Sequence, residues 1–263
     1  MKQFIKLSLG NCLRRTAQWC PAAKPFLRSL GIRTSEPTFK NSIASIQFRR
    51  RPPLDLTNAH ENYLSFQLFW RGGDFYEPAT RTILELLARS SRTFFDIGAN
   101  IGFFTLSLGT LHPHLSIFAF EPNPKNFQIL SDNIAINNLT AVTSESLAIS
   151  NDVGTATLFL NTSDMSASLL NDFQTEQQID SIAVQTSSLD GYLQNKPASA
   201  PLLIKVDIEG HEAAFFQGAT RSITTHHPDI YRMIRYAHDR GIWTYLSSNL
   251  HAFKPEKGQA EEL

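Results

Sequence analysis

Two clusters of acidic residues and glycines carry the chemistry that this sequence could perform. The first cluster runs from Asp96 through Gly98 to Gly102, and Glu121 lies 19 residues beyond Gly102. Glycines at a turn let a ligand approach the backbone closely, because no side chain stands in the way. An acidic residue about 20 positions further on accepts hydrogen bonds from ribose hydroxyls in nucleoside-binding units. The spacing therefore predicts a nucleoside site.

The glycine pattern narrows the kind of nucleoside. The turn has the form D-x-G-x-x-x-G, with Asp96, Gly98 and Gly102, rather than G-x-G-x-x-G. Three glycines suit a dinucleotide whose pyrophosphate lies on a helix N-terminus. Two glycines after an aspartate suit a nucleoside without phosphate, so we expect S-adenosylmethionine as the cofactor. An NAD-type oxidoreductase is a less favoured alternative function. A second alternative is that the turn has only a structural role and binds no ligand.

The second cluster contains four ionisable residues within six positions: Asp207, Glu209, His211 and Glu212. They follow Leu202–Val206, whose apolar character is typical of a central parallel strand, and ligands bind beyond the carboxyl ends of such strands. A hydroxyl that attacks a methyl sulfonium must lose a proton, so acid–base candidates are expected here. Two alternatives assign these residues structural roles. The acids would stabilise the N-terminus of the next helix, and His211 would be the hydrogen-bond partner of a carboxylate. The close spacing favours no metal site.

The elements around both clusters alternate between strands and helices. A strand ending at Asp96, a helix at 103–111 and a strand at 115–120 are predicted first. Further helices are predicted at 78–89, 123–138 and 189–193, and further strands at 141–146, 155–160, 179–186 and 202–206. The polar segment 161–178 is interpreted as a loop that covers a ligand. This alternation is typical of an α/β fold with a mostly parallel sheet and flanking helices.

Several motifs, in order along the chain, resemble those of the FkbM-type methyltransferases. The corresponding segments are Tyr76-Glu77 just upstream of the domain, D-x-G-A-N-x-G at 96–102, E-P-N-P at 121–124, L-D at 189–190, K-x-D-x-E-G-x-E at 205–212 and G-A at 218–219. The resemblance covers about residues 70–224. It implies a class I, Rossmann-like methyltransferase that uses S-adenosylmethionine, usually on a hydroxyl oxygen of a sugar, lipid or natural product.

This resemblance implies roles for individual residues. The expected cofactor-binding residues are Glu77, Asp96, Gly98, Asn100, Gly102, Glu121, Asn123 and Asp207. Glu121 is expected to hold the ribose, and Asp207 is expected to face the methyl group. The expected catalytic residues are Asp207, Glu209 and His211, the last two as base candidates. Holding the nucleophile and the methyl group in line supplies much of the rate, so no single base need be essential.

Residues 226–263 depart from the family pattern. Family members continue with a strand ending in Glu and a final hairpin. This chain instead reads R-Y-A-H-x-x-G-I at 235–242 and L-S-S-N-L at 246–250, which resembles a fragment of a radical S-adenosylmethionine enzyme. The cysteine triplet that would hold an iron–sulfur cluster is missing. We expect a junction near residue 225 and a sheet whose last part is unfinished or replaced. A catalytically impaired remnant that binds a cofactor or partner is therefore an alternative function.

The first 51 residues are strongly basic, although the formal net charge of the chain is zero. They contain eleven Lys and Arg residues against one acid, Glu36. A solvated helical extension is the structural interpretation, and contact with an anionic membrane surface or an acidic partner is the functional one. A targeting peptide is a third interpretation. The two cysteines, Cys12 and Cys20, lie in this arm and fit a reducing compartment.

The sequence thus predicts four segments: a basic arm at 1–53, a helical lead-in at 54–93, a methyltransferase domain at 94–225 and an atypical tail at 226–263. No apolar run reaches the about 18 residues that a membrane-spanning helix needs. We expect a cytoplasmic protein that is peripheral at a membrane surface through its arm. Its acceptor is expected to be a small molecule, glycan or lipid, and no nucleic-acid partner is expected.

Overall fold

The computed structural model describes residues 43–58, 62–161, 167–168, 178–208 and 211–228. The chain divides into two compact units, Met1–Tyr76 and Glu77–Leu263. This division falls inside the segment 54–93 that the sequence predicted as one lead-in. The boundaries predicted at residues 53, 93 and 225 stay predictions.

Strands and helices are numbered here in chain order. The strands are β1 (Ala44–Ile46), β2 (Leu54–Leu56), β3 (Thr93–Ile97), β4 (Ser116–Phe120), β5 (Val142–Glu145), β6 (Ala148–Ser150), β7 (Gly154–Asn161), β8 (Ala167–Ser168), β9 (Gln178–Ser188) and β10 (Leu202–Val206). The helices are α1 (Tyr63–Arg71), α2 (Pro78–Ala88), α3 (Phe103–Leu111), α4 (Pro124–Ile136), α5 (Leu189–Asn195), α6 (Glu212–Gly218) and α7 (Thr220–His226), with a 3-10 turn at Gly73–Phe75. The predicted strand–turn–helix–strand unit is confirmed as β3, α3 and β4.

The first unit is a short antiparallel pair and a helix. β1 pairs with β2 so that Ala44 lies opposite Leu56, and the alternate residues of both strands are buried. α1 begins after Asn62, whose side-chain oxygen accepts a hydrogen bond from the Ser65 N–H at 3.1 Å. Such a cap satisfies one of the free N–H groups at the start of a helix.

The second unit is built on a four-stranded parallel sheet with the order β10-β3-β4-β5. All five residues of β3 are buried, and the first four of β10 are buried too. Parallel strands covered on both faces appear in a sequence as continuous apolar runs, which is why β3 and β10 were predictable. Within the described residues β10 is the outer strand beside β3. The last part of the sheet, expected from the sequence to be unfinished or replaced, stays a prediction, because residues 229–263 lie outside the described ranges.

A second sheet of mixed direction has the order β6-β9-β7-β8, with β6 and β9 parallel and the other pairs antiparallel. The prediction of an uninterrupted loop at 161–178 is wrong at β8, which pairs Ser168 with Phe159. β6 was also not predicted. Both strands have three residues or fewer, too short for a periodic signal. Residues 162–166 and 169–177 lie outside the described part, and so does the predicted cover over a ligand.

One apolar core joins the parallel sheet to the helices that pack on it. Its buried members are Phe95, Ile97, Phe120, Ile149, Leu189, Tyr192, Leu202, Ile204, Phe215 and Ala219. The rings of Phe95 and Phe120 stack with centroids 6.4 Å apart. Asp190 of α5 accepts hydrogen bonds from the N–H groups of Arg221 and Ser222, which anchors the start of α7. This core fixes the carboxyl ends of β3, β4 and β10.

None of the helices in the described ranges has the length and apolar character needed to cross a membrane. Residues 1–42 of the predicted basic arm lie outside those ranges.

Candidate functional site

The turn between β3 and α3 has an unusual backbone that requires glycine. Gly98 has a φ of 78° and Gly102 a φ of 91°, values that side chains rarely allow. A Cβ atom on Gly98 would lie 2.0 Å from the carbonyl oxygen of Asp207. A Cβ atom on Gly102 would lie 2.6 Å from Cδ1 of Leu130. The sequence pattern D-x-G-x-x-x-G therefore reflects two positions at which the turn leaves no room for a side chain.

Hydrogen bonds to β4 and α4 hold this turn. The N–H groups of Gly98 and Ala99 donate to the carbonyl oxygen of Phe120 at 3.0 and 2.9 Å. The side-chain amide of Asn133, fully buried on α4, donates to the carbonyl oxygen of Ile101 at 2.9 Å. These hydrogen bonds hold the turn, called the cradle below, beside β4.

Glu121 joins the turn to the loop after β4. One carboxylate oxygen accepts the Asn100 N–H at 2.8 Å and the other accepts the Asn123 N–H at 2.9 Å. The side chain is buried. Asn100 adopts a left-handed φ of 52°, which Asn tolerates better than most residues. The structure therefore places Glu121 at the end of its strand, as predicted, and also gives it a role in shaping the turn.

The environment of Glu121 shifts its protonation. Burial raises the pKa of Glu121 to about 7, while the N–H groups of Asn123 and Asn100 lower the pKa and partly offset the burial. Asp96 raises the pKa slightly and Lys205 lowers it. Hydrogen-bond donors that favour the ionised form, such as ribose hydroxyls, would lower the pKa further. Hydrogen bonds from a diol would therefore favour the ionised form of the Glu121 carboxyl.

Asp96 lies beneath the turn. Its side chain is fully buried in β3, and one oxygen accepts the Thr105 hydroxyl of α3 at 2.7 Å. The other oxygen lies 3.3 Å from Nζ of Lys205. These contacts tie β3 to α3 and β10, so the structure gives Asp96 a part in positioning the turn.

Asp207 follows β10 and backs the turn from the other side. Its N–H donates to the carbonyl oxygen of Ile97 at 3.0 Å, and its own carbonyl oxygen lies against Gly98. The carboxylate is 39% exposed and lies 3.3 Å from Nζ of Lys205. Asp207 is thus brought to the same sheet edge as Gly98 and Glu121, with its carboxylate accessible.

His211 lies against the second sheet. Its Nε2 is 2.8 Å from the hydroxyl oxygen of Ser150 in β6. At the far end of α6, Gly218 packs directly on the backbone of Ser150. Burial lowers the pKa of His211 below its ordinary value, although Glu212 opposes this shift. His211 therefore has a hydroxyl partner at its Nε2 and also interacts electrostatically with the carboxylate of Glu212.

Of the remaining predicted residues, Asn123 and Glu77 lie at helix starts and Glu209 lies outside the described ranges. Asn123 caps α4, since its side-chain oxygen accepts the Lys125 N–H at 3.0 Å. Glu77 precedes α2 with a left-handed φ of 37°, and its carbonyl oxygen accepts the Arg81 N–H at 3.0 Å. The role of Glu77 in cofactor binding stays a prediction, and so does the role of Glu209 as a base.

Three positioning residues were missed by reasoning from the sequence. Thr105, Asn133 and Lys205 are all buried and all contact the turn or the carboxylates beside it. Lys205 gave one usable signal: it is a lone charged residue in an apolar strand, and buried lysines need partners. Thr105 and Asn133 lie on helices and gave none. In the described ranges no three His, Cys, Asp or Glu side chains are grouped to hold a metal ion.

A parallel sheet with a glycine cradle after β3 and a buried acid after β4 defines a nucleoside-binding α/β domain. The family model described as the methyltransferase FkbM domain matches residues 96–254, more than half of the chain. The chain belongs to the FkbM methyltransferase domain family. The matched range continues past residue 225, where the sequence predicted a junction.

Individual relatives are more distant and are matched over part of their length. The chain is 27% identical over 161 residues to the hexuronic acid methyltransferase AglP of Haloferax volcanii, covering 60% of this chain and 63% of that protein. It is 35% identical over 104 residues to the 31-O-demethyl-FK506 methyltransferase FkbM of Streptomyces tacrolimicus, covering 40% and 39%. The chain thus spans less than two thirds of either relative. A solved precorrin-6y C5,15-methyltransferase of Geobacter metallireducens is 14% identical, covers 64% of this chain and 73% of that one, and gives a TM-score of 0.36.

Proposed function

We propose that this chain is an S-adenosylmethionine-dependent methyltransferase that acts on a hydroxyl oxygen of a sugar, lipid or natural product. Membership of the FkbM methyltransferase domain family supports the reaction class. Two relatives, a hexuronic acid methyltransferase and a 31-O-demethyl-FK506 methyltransferase, support an oxygen-rich small-molecule acceptor.

The observation that carries this proposal is the carboxylate of Glu121. Each of its oxygens accepts one backbone N–H, from Asn100 and Asn123. An ionised carboxylate has about four acceptor positions, so both oxygens retain capacity for the two hydroxyls of a ribose. The cradle from Gly98 to Gly102 follows β3 at the carboxyl edge of the parallel sheet, where such sheets bind their ligands. The residues therefore fit S-adenosylmethionine.

When bound, S-adenosylmethionine supplies a methyl group on a positively charged sulfur. Transfer would replace the C–S bond by a C–O bond, and the proton of the acceptor hydroxyl would need a residue of the chain to accept it. Asp207 is proposed to face the methyl group, because its partly exposed carboxylate lies at the same edge as the cradle. Holding the two reacting atoms in line is the main contribution asked of the chain.

The proton is proposed to pass to His211 or Glu209. The lowered pKa of His211 favours the neutral ring, which is the form that a base requires. Its contact with the Ser150 hydroxyl would hold the ring in one orientation. Replacing His211 by Gln and, separately, Glu209 by Gln tests the two. The base is the residue whose loss lowers kcat while the affinity for S-adenosylmethionine is unchanged.

Isothermal titration calorimetry on the full chain tests the cofactor, with NAD as the competing ligand. We expect S-adenosylmethionine to bind and NAD not to bind. A screen with isotope-labelled methyl groups on hexuronic acids, other sugars, glycolipids and polyol natural products then tests the acceptor. Binding of NAD alone would favour the oxidoreductase alternative and reject the proposal.

A catalytically impaired remnant is the second candidate function. It is favoured only by the sequence resemblance of segments 235–242 and 246–250 to a radical S-adenosylmethionine enzyme, and the family model, which matches through residue 254, argues against it. Cofactor binding without transfer to any acceptor of the screen would support the remnant. Transfer to any one acceptor would reject it.

We also propose a peripheral contact between the basic arm and anionic surfaces in the cytoplasm. Eleven Lys and Arg residues in the first 51 positions support this contact, since basic segments are attracted to anionic lipids. Arg49 and Arg50, within the described ranges, are exposed.

A further inference from the structure

Lys205 is a charged residue inside the buried parallel sheet. It lies in β10 with 5% exposure, in register with Asp96 of β3. Its Nζ is 3.3 Å from a carboxylate oxygen of Asp96 and 3.3 Å from one of Asp207, and 5.1 Å from the centroid of the Phe104 ring. One ammonium group therefore connects two carboxylates on neighbouring strands.

The two carboxylates differ in their surroundings. Asp96 is fully buried and holds the Thr105 hydroxyl of α3. Asp207 is partly exposed at the sheet edge, and its backbone touches Gly98 of the cradle. Lys205 thus links a fixed, internal carboxylate to one that faces the site.

Stability alone does not explain a lysine at this position. Burying an ammonium group and a carboxylate removes both from water, and an apolar residue of similar volume often stabilises a core as well or better. β10 is otherwise apolar at its buried positions, Leu202, Leu203 and Ile204. A buried ion pair that apolar residues could replace therefore points to a function at the site.

We propose that Lys205 is a positioning residue that fixes the carboxylate of Asp207 beside the cofactor cradle, with Asp96 as its internal anchor. This role rests on the proposed function, because the cradle is taken to bind S-adenosylmethionine. It predicts that the contribution of Lys205 to cofactor binding passes through Asp207. A purely structural role would pass through Asp96 instead.

The test is a double-mutant cycle on the full chain, read by calorimetric titration with S-adenosylmethionine. Lys205→Met keeps an unbranched side chain that is one atom shorter and removes the charge. Residues in contact, such as Lys205 and Asp207, are commonly coupled by about 0.5–3 kcal/mol. We therefore expect Lys205→Met to weaken the binding of S-adenosylmethionine about tenfold. We expect no further weakening when the same change is made in the D207N background. Lys196→Met is the matched control, since Lys196 is an exposed lysine that pairs with Glu145, and its change should alter the affinity less than about twofold.

Thermal unfolding separates the structural role. Lys205→Met leaves Asp96 buried without its cationic partner, so the unfolding temperature should fall. Adding Asp96→Asn to Lys205→Met should raise the unfolding temperature again. The double variant should still bind S-adenosylmethionine more weakly than Asp96→Asn alone. This neutral pair also serves as the folded variant if Lys205→Met does not fold.

The outcomes separate this role from the proposed function. If the wild-type chain does not bind S-adenosylmethionine, both are overturned. If the wild-type chain binds and Lys205→Met binds equally well, the positioning role alone is overturned. It is also overturned if Lys205→Met weakens binding to the same extent in the D207N background.

Discussion

Gly98 offers a sharp test of the site geometry. Replacing it by alanine places a residue with a side chain at a φ of 78° and puts Cβ 2.0 Å from the carbonyl oxygen of Asp207. The left-handed backbone costs about 1–2 kcal/mol, and overpacking in a well-packed region costs about 1–3 kcal/mol. We therefore expect Gly98→Ala to lower the free energy of unfolding by about 2–5 kcal/mol.

Two other glycines calibrate this prediction. Gly102→Ala also has a left-handed φ, but its Cβ meets the end of the flexible Leu130 side chain, so a loss of about 1–3 kcal/mol is expected. Gly154→Ala, at the start of β7, meets its nearest atom at 3.8 Å and should change stability by less than about 0.5 kcal/mol.

Urea unfolding of the three variants measures these differences. Thermal unfolding is a second measure, and Gly98→Ala should lower the midpoint by about 4–20 °C. Equal stability of Gly98→Ala and Gly154→Ala would refute the reasoning, because it would mean that the close approach of Asp207 does not constrain residue 98.

Three further predictions concern pH, the arm and the sheet edge. The pKa of Glu121 is raised from about 4.5 to about 7, so the folded state binds more protons there and the free energy of unfolding should decrease as the pH rises from 4.5 to 7. Urea unfolding should show a smaller decrease for Glu121→Gln, and the same pH dependence in both proteins would contradict the prediction. Deleting residues 1–42, which spares β1, should abolish salt-sensitive binding to acidic vesicles in a sedimentation assay; equal binding without the arm would reject the membrane contact. An open β10 edge predicts self-association or fast hydrogen exchange at 202–206, and strong protection in a monomer would show that the edge is covered.

Much of the fold could be predicted because its signals are local. The apolar run of β3, the glycines at 98 and 102 and the apolar run before Glu121 each reflect one short segment. Pro124 at the first position of α4 and Pro78 at that of α2 mark helix starts. Such signals need no knowledge of distant contacts.

The parts that were missed depend on distant contacts. β8 exists because Ala167 and Ser168 pair with β7, and nothing within two residues reveals a partner. Lys205 reads as an interruption of an apolar strand until Asp96 is seen opposite it. The second function of Glu121, holding Asn100 and Asn123, likewise follows from the turn bringing residue 100 back to the end of β4.

Calorimetric titration of S-adenosylmethionine into the wild-type chain and Glu121→Ala tests the central claim most directly. Loss of hydrogen bonds to a charged group costs about 1.5–3 kcal/mol, so Glu121→Ala should weaken binding roughly tenfold or more. Asp180→Ala, at an exposed acid of β9, should leave the affinity unchanged. We expect tight binding by the wild type and by Asp180→Ala but weak binding by Glu121→Ala. Equal affinity of a folded Glu121→Ala chain would show that Glu121 does not hold the ribose.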